Sequence, residues 1–86
     1  MDSISAQWVS EAVRYHRRRA GLSQRGLADL AGIGKTSVFD IEKGKPTVRL
    51  ATLVAALRVL NIRLIIDGPL MDEFAATLPD TGEQSQ

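Results

Sequence analysis

The chain contains no cysteine, which excludes disulfides and thiolate metal sites, and its one histidine, His16, cannot build a zinc site alone. No apolar run approaches the roughly 18 residues that span a bilayer, so no membrane partner is expected. The N-terminus lacks the basic stretch and apolar core of a secretory signal, and a cytoplasmic location is the resulting expectation. A strong charge of one sign is missing too. The net charge is +1, which by itself says nothing about nucleic acid. Enzyme signatures are absent. Gly32-Ile33-Gly34-Lys35 has neither the spacing nor the preceding strand of a phosphate-binding loop, and no nucleophile has an evident base partner. No catalytic residue, metal or cofactor is expected.

What is present is enough chain for one domain, 86 residues, and enough apolar content, 44%, for one compact core. Burial is limited at this size, so dimerisation would add stability. Charge is unevenly spread. Residues 1–50 carry nine Lys/Arg against five Asp/Glu, whereas residues 51–86 carry two against five. The basic half is the candidate phosphate surface, and the acidic half must serve something else.

Helical periodicity runs through most of the chain. A first helix is expected from about Ser5 to Ala20, with Val9, Ala12, Val13, His16 and Ala20 on one face, Ser5 as N-cap and Gly21 as its stop. Trp8, near the edge of that face, reads as a packing residue. A second helix starts at the N-cap Ser23 and ends near Gly32, with Leu27, Leu30 and Ala31 as its apolar side. A third spans about Lys35 to Lys43, with Val38 and Ile41 inward and Gly44 as its stop. Ala31-Gly32-Ile33-Gly34 is too short for anything but a tight turn, and its glycines permit positive φ. Thr47 reads as the N-cap of a fourth helix, about Val48 to Leu60, striped by Leu50, Leu53, Val54, Leu57 and Leu60 and terminated at Asn61.

Ile62, Arg63, Leu64, Ile65 and Ile66, with Asp67, then read as a strand bounded by Asn61 and Gly68-Pro69. A lone strand leaves its backbone groups unpaired, so the expected partner is the same strand of a second copy. The alternative is an irregular apolar tail packed on the body. Leu70 to Leu78 has the makings of a short helix, and from Pro79 a polar, flexible tail is expected. The expected organisation is residues 1–69 as one unit, including the dimerisation strand 62–67, followed by a 70–86 extension.

Two short helices joined by a glycine-containing turn inside a helical core describe a helix-turn-helix in physical terms. The ordered residues sharpen this: Arg17, Ala20-Gly21-Leu22-Ser23-Gln24, Leu27-Ala28, Ala31-Gly32-Ile33, Val38, Ile41-Glu42-Lys43-Gly44-Lys45, Leu53 and Leu57. In this pattern the chain resembles the Xre/Cro family of repressor-type DNA-binding domains. The resemblance implies an all-α, lambda-repressor-like bundle, here with one C-terminal strand pairing across a homodimer, and double-stranded operator DNA as ligand. Base-reading positions are then Lys35, Thr36, Ser37, Phe39 and Asp40, at and beyond the N-terminus of the recognition helix. Lys35 suits guanine, Asp40 suits cytosine N4, and Thr36 suits a base edge or a thymine methyl. Ser37 is ambiguous, because its family position also packs inward or meets phosphate. Gly34 and Phe39 depart from the family's usual polar residues. Phe39 has three readings: thymine methyls, a sugar, or a neighbouring protein. Phosphate contacts fall to Ser23, Gln24, Lys43, Lys45 and Arg49. By family position Arg17 pairs with Glu42 in a structural, bidentate contact. Arg18 and Arg19 read as solvated.

The strand placed directly after the last core helix is similar in layout to antitoxins of the HipB type. That likeness implies autorepression and neutralisation of a HipA-type serine/threonine kinase toxin. The other readings are a stand-alone transcriptional regulator and an interaction module without DNA binding. An adjacent kinase gene favours the antitoxin, and absence of salt-dependent DNA binding favours the interaction module.

Overall fold

The computed structural model describes residues 5–79. Five helices follow in order: α1 (Ala6–Arg19), α2 (Gln24–Ala31), α3 (Lys35–Lys43), α4 (Leu50–Val59) and α5 (Met71–Ala75). α1 and α2 start at serine caps, and α2 and α3 stop at glycines. The Ser5 hydroxyl accepts from the Trp8 N–H at 3.1 Å, and the Ser23 hydroxyl from the Gly26 N–H at 2.9 Å, each satisfying an orphan donor of a first turn. α2 and α3 both end in left-handed glycines, Gly32 at φ 71° and Gly44 at φ 80°. Beyond Gly44 the Lys45 N–H returns to the Asp40 carbonyl at 3.0 Å, which closes the end of α3. Of the two glycines in the α2–α3 turn only Gly32 uses positive φ; Gly34, at −77°, does not.

The core gathers one face from each of the first four helices: Val13, Leu27, Ala28, Val38, Ile41, Ala56, Leu57 and Leu60. α3 packs against α1, α2 and α4, and α2 also packs against α4. Val9, Leu22, Ile33, Val48, Leu53 and Ile62 close the rim. Leu27, Val13 and Val38 are fully buried, so truncating Leu27 to alanine should cost roughly 2–5 kcal/mol.

Several expectations need correction. The inward face of α1 is rotated: His16 and Ala20 are exposed, while Ser10 and Arg17 are buried. Trp8 is 49% exposed and is not a core residue. Leu30 and Leu50, assigned to apolar stripes, face solvent. α4 begins later than expected, at Leu50, with Arg49 rather than Thr47 in the N-cap position and no side-chain cap. Residues 46 and 47 form a turn instead. Asn61 does end α4, in the left-handed region at φ 59°.

Residues 62–67 form no strand within this chain. Ile62 packs on the core and its N–H reaches the Leu57 carbonyl at 2.9 Å. Residues 63–66 make no backbone hydrogen bond among the described residues. Leu64, Ile65 and Ile66 are exposed, the last two by 71% and 75%, so the tail is not packed down along its length. A ladder needs a second strand, and the described residues of one chain offer none. The short C-terminal helix is α5, with no buried residue. The tail expected beyond Pro79 lies outside the described residues.

Candidate nucleic-acid interface

The site is built on a buried carboxylate. Glu42, at the inner side of α3, receives the guanidinium of Arg17 from α1 at two points: Nε donates to Oε2, and Nη2 donates to Oε1 at 3.0 Å. The remaining Arg17 nitrogen, Nη1, donates to the Leu22 carbonyl at 2.8 Å, so the same side chain fastens the α1–α2 connection. Gln24 adds a donor from α2, with Nε2 at 3.2 Å from Oε1. Arg14, one turn before Arg17, donates to the Glu42 backbone carbonyl at 2.7 Å. Three helices are thereby tied at one residue. Burial alone pushes the Glu42 carboxyl up. Hydrogen bonds from Arg17 and Gln24, with the charges of Arg17 and Arg14, outweigh it and hold the group below the usual carboxylate range. The hydrogen bond to Glu42 raises Arg17 above its ordinary value, against the opposing effect of burial.

This brace sets the outward face of α3. With Val38, Ile41 and Glu42 turned inward, Lys35, Thr36, Phe39 and Lys43 lie exposed, and Ser37 and Asp40 are half-buried. Asp40 pairs with Lys45 at 3.7 Å, across the end of the helix. The Lys43 ammonium stands 5.5 Å from the centre of the Phe39 ring. Arg49 joins Ser37, Asp40, Thr47 and Thr52 around a polar cleft between α3 and the start of α4. The structure thus brings Ser37, Asp40, Lys45 and Arg49 together and sets Phe39 beside Lys43, while Lys35 and Thr36 lie exposed on the first turn of α3.

Ser23 and Gln24 behave differently from that group. Ser23 Oγ is engaged as an N-cap, and the Gln24 amide turns inward to Glu42. Two features escaped sequence reasoning: the second arginine on Glu42, and the Gln24 contact. Arg14 and Arg17 are three residues apart on α1, so they share a face, and that spacing was the available signal.

The profile of the helix-turn-helix family HTH_3 matches residues 13–65, from the middle of α1 to the exposed tail. The chain belongs to this Xre/Cro-type family. Membership makes it an Xre-type helix-turn-helix transcriptional regulator. Among similar proteins is the uncharacterized HTH-type transcriptional regulator y4mF of Sinorhizobium fredii (strain NBRC 101917 / NGR234), 33% identical over 71% of this chain and 80% of that protein. The control protein C.SmaI of Serratia marcescens is 34% identical over 62% of this chain and 63% of its own length. In fold the chain is similar to the protein of a HipB-O4 20mer complex and to one in a HipA-HipB-O2-O3 complex. Each has a TM-score of 0.70 at 20% identity and covers 79% of this chain and 96% of the other.

The family match takes in α4 and most of the segment after it. There Val54, Leu57, Arg58, Ile62, Arg63, Leu64 and Ile65 line a shallow groove. Among the described residues no group of three or more His, Cys, Asp or Glu is placed to hold a metal, and no helix is long and apolar enough to cross a membrane.

Proposed function

We propose that this helix-turn-helix regulator binds palindromic operator DNA as a homodimer, and that it is the antitoxin of a HipA-type serine/threonine kinase whose operon it represses. The observation that carries the DNA reading is the outward face of α3, polar and cationic, fixed to α1 and α2 through Glu42. A recognition helix enters the major groove with its N-terminal residues against base edges. Lys35, Thr36, Ser37, Phe39 and Asp40 take that role here. Lys43, Lys45 and Arg49 meet phosphates from the exit of the helix, and Ser23 and Gln24 present the α2 N-terminus to another.

The dimer reading is supported by the backbone of residues 63–66, unpaired among the described residues, and by the exposure of Leu64, Ile65 and Ile66, the first two of which line the groove against α4. Pairing Ile62–Ile66 with its copy supplies the missing hydrogen-bond partners and covers those side chains. The fold likeness to HipB supports the antitoxin reading. The names of the curated relatives favour a second one, a stand-alone regulator.

Selection from a random pool of duplexes tests the first half: a palindromic site is expected, and no enriched sequence contradicts it. Purification of the tagged chain from its native host tests the second. A serine/threonine kinase bound and inhibited by the chain supports the antitoxin role, and its absence leaves the stand-alone regulator.

A further inference from the structure

We propose that Phe39 reads the C5-methyl group of a pyrimidine, so that the operator carries a 5-methylpyrimidine against this ring. The inference rests on the reading of α3 as the recognition helix and specifies what part of it recognises. Every other side chain on the outward face of α3 is polar or charged: Lys35, Thr36, Ser37, Asp40 and Lys43. Phe39 is 49% exposed among them. Its ring has neither donor nor acceptor, so the hydrogen-bond pattern of a base edge is invisible to it. In the major groove the one apolar feature of a base pair is the methyl on C5 of thymine. A cytosine methylated at C5 presents the same group.

The surroundings of the ring favour a base over a protein partner. The core of a protein interface is depleted of charge, whereas Lys43 stands 5.5 Å from the centre of this ring and the same helix carries the charges of Lys35 and Asp40. It is the one apolar side chain among the exposed residues of α3. The Lys43 ammonium attracts the ring electrostatically and restricts its orientation, leaving its edge and opposite face for the DNA. The same cation, one turn closer to the helix exit, is placed for the phosphate beside the base that Phe39 touches.

The test uses the full chain and the duplex selected from a random pool. Each thymine is replaced in turn by deoxyuridine, which removes only the methyl. Burying a group of that size is worth about a fourfold change in affinity. The wild type should therefore lose about fourfold at one thymine per half-site or more, and Phe39→Ala should bind the thymine and uracil duplexes equally. Phe39 lies outside the core, so the melting curve of the variant should stay near that of the wild type. A second arm places cytosine or 5-methylcytosine at the sensitive position. Tighter binding of the methylated duplex by the wild type alone assigns the shared methyl, and a response in the uracil arm alone assigns thymine. A wild type indifferent to the methyl in both arms, or a uracil penalty that persists in Phe39→Ala, overturns the proposal. A wild type with no affinity for any duplex overturns the recognition-helix reading itself.

Discussion

Arg17 and Glu42 join α1 to α3 through two side-chain hydrogen bonds, both partners being almost fully withdrawn from water. Breaking a buried pair from one side strands the other charge, a loss of about 3–5 kcal/mol. Arg17→Ala and Glu42→Ala should each destabilise the fold on that scale, and the double variant should cost much less than the two together. Urea denaturation of the full cycle measures the coupling. Additive losses would show that the two side chains are not coupled.

The same carboxylate makes stability depend on acid. Its folded pKa is depressed, so the unfolded chain takes up the proton more readily. The stabilisation is fully present above the ordinary glutamate value of about 4.3 and fades as pH falls through the lower folded value. Wild-type stability should fall more steeply between pH 5 and roughly pH 2 than that of Glu42→Gln, which keeps hydrogen-bonding capacity without the titration. Parallel acid limbs for the two proteins would contradict the assignment.

Lys45 reaches Asp40 in the free protein at 3.7 Å, with half of its side chain exposed. An exposed pair of this kind contributes little to stability, so the ammonium is available to a phosphate. Lys45→Ala should weaken specific and nonspecific duplexes alike and reduce the log–log salt slope by about 0.9. By contrast, Lys35→Ala, Thr36→Ala and Asp40→Ala should each flatten preference at particular operator positions. Repeating the site selection with each variant checks this, and an unchanged sequence logo in all three would contradict base reading.

How much of this was legible in the sequence follows from what each signal encodes. Ser23, Gly32 and Gly44 mark helix ends because capping and positive φ are local chemistry, and the bounds of α2 and the end of α3 follow from them. Periodicity marks an apolar stripe but not how wide a strip neighbours will cover. Leu30 and Leu50 lie on such stripes and face water, while Ser10 and Arg17 are buried by contacts from other helices. Thr47 has the chemistry of an N-cap, yet the chain turns at 46 and 47 before α4 begins. Gln24 looks free at a helix start. Its partner Glu42 is 18 residues away, and only tertiary packing brings them together. Residues 62–67 have the β-branching and the bounding turn residues of a strand, but a ladder is a property of two segments and is not encoded in one.

Ile65 tests that missing segment. Proline there removes a backbone donor and cannot join a ladder that uses it, while leaving the core helices untouched. Ile65→Pro should lower dimer affinity and operator affinity together and retain the helical circular dichroism of the wild type. Undiminished dimerisation would show that the exposed segment does not pair.

Operator binding by a two-fold dimer is the central claim, and sedimentation of the chain with its selected duplex measures it most directly. Two chains should bind per duplex, on half-sites centred about 34 Å apart, one turn of DNA. A single chain per duplex, or free DNA at micromolar protein in moderate salt, would contradict it.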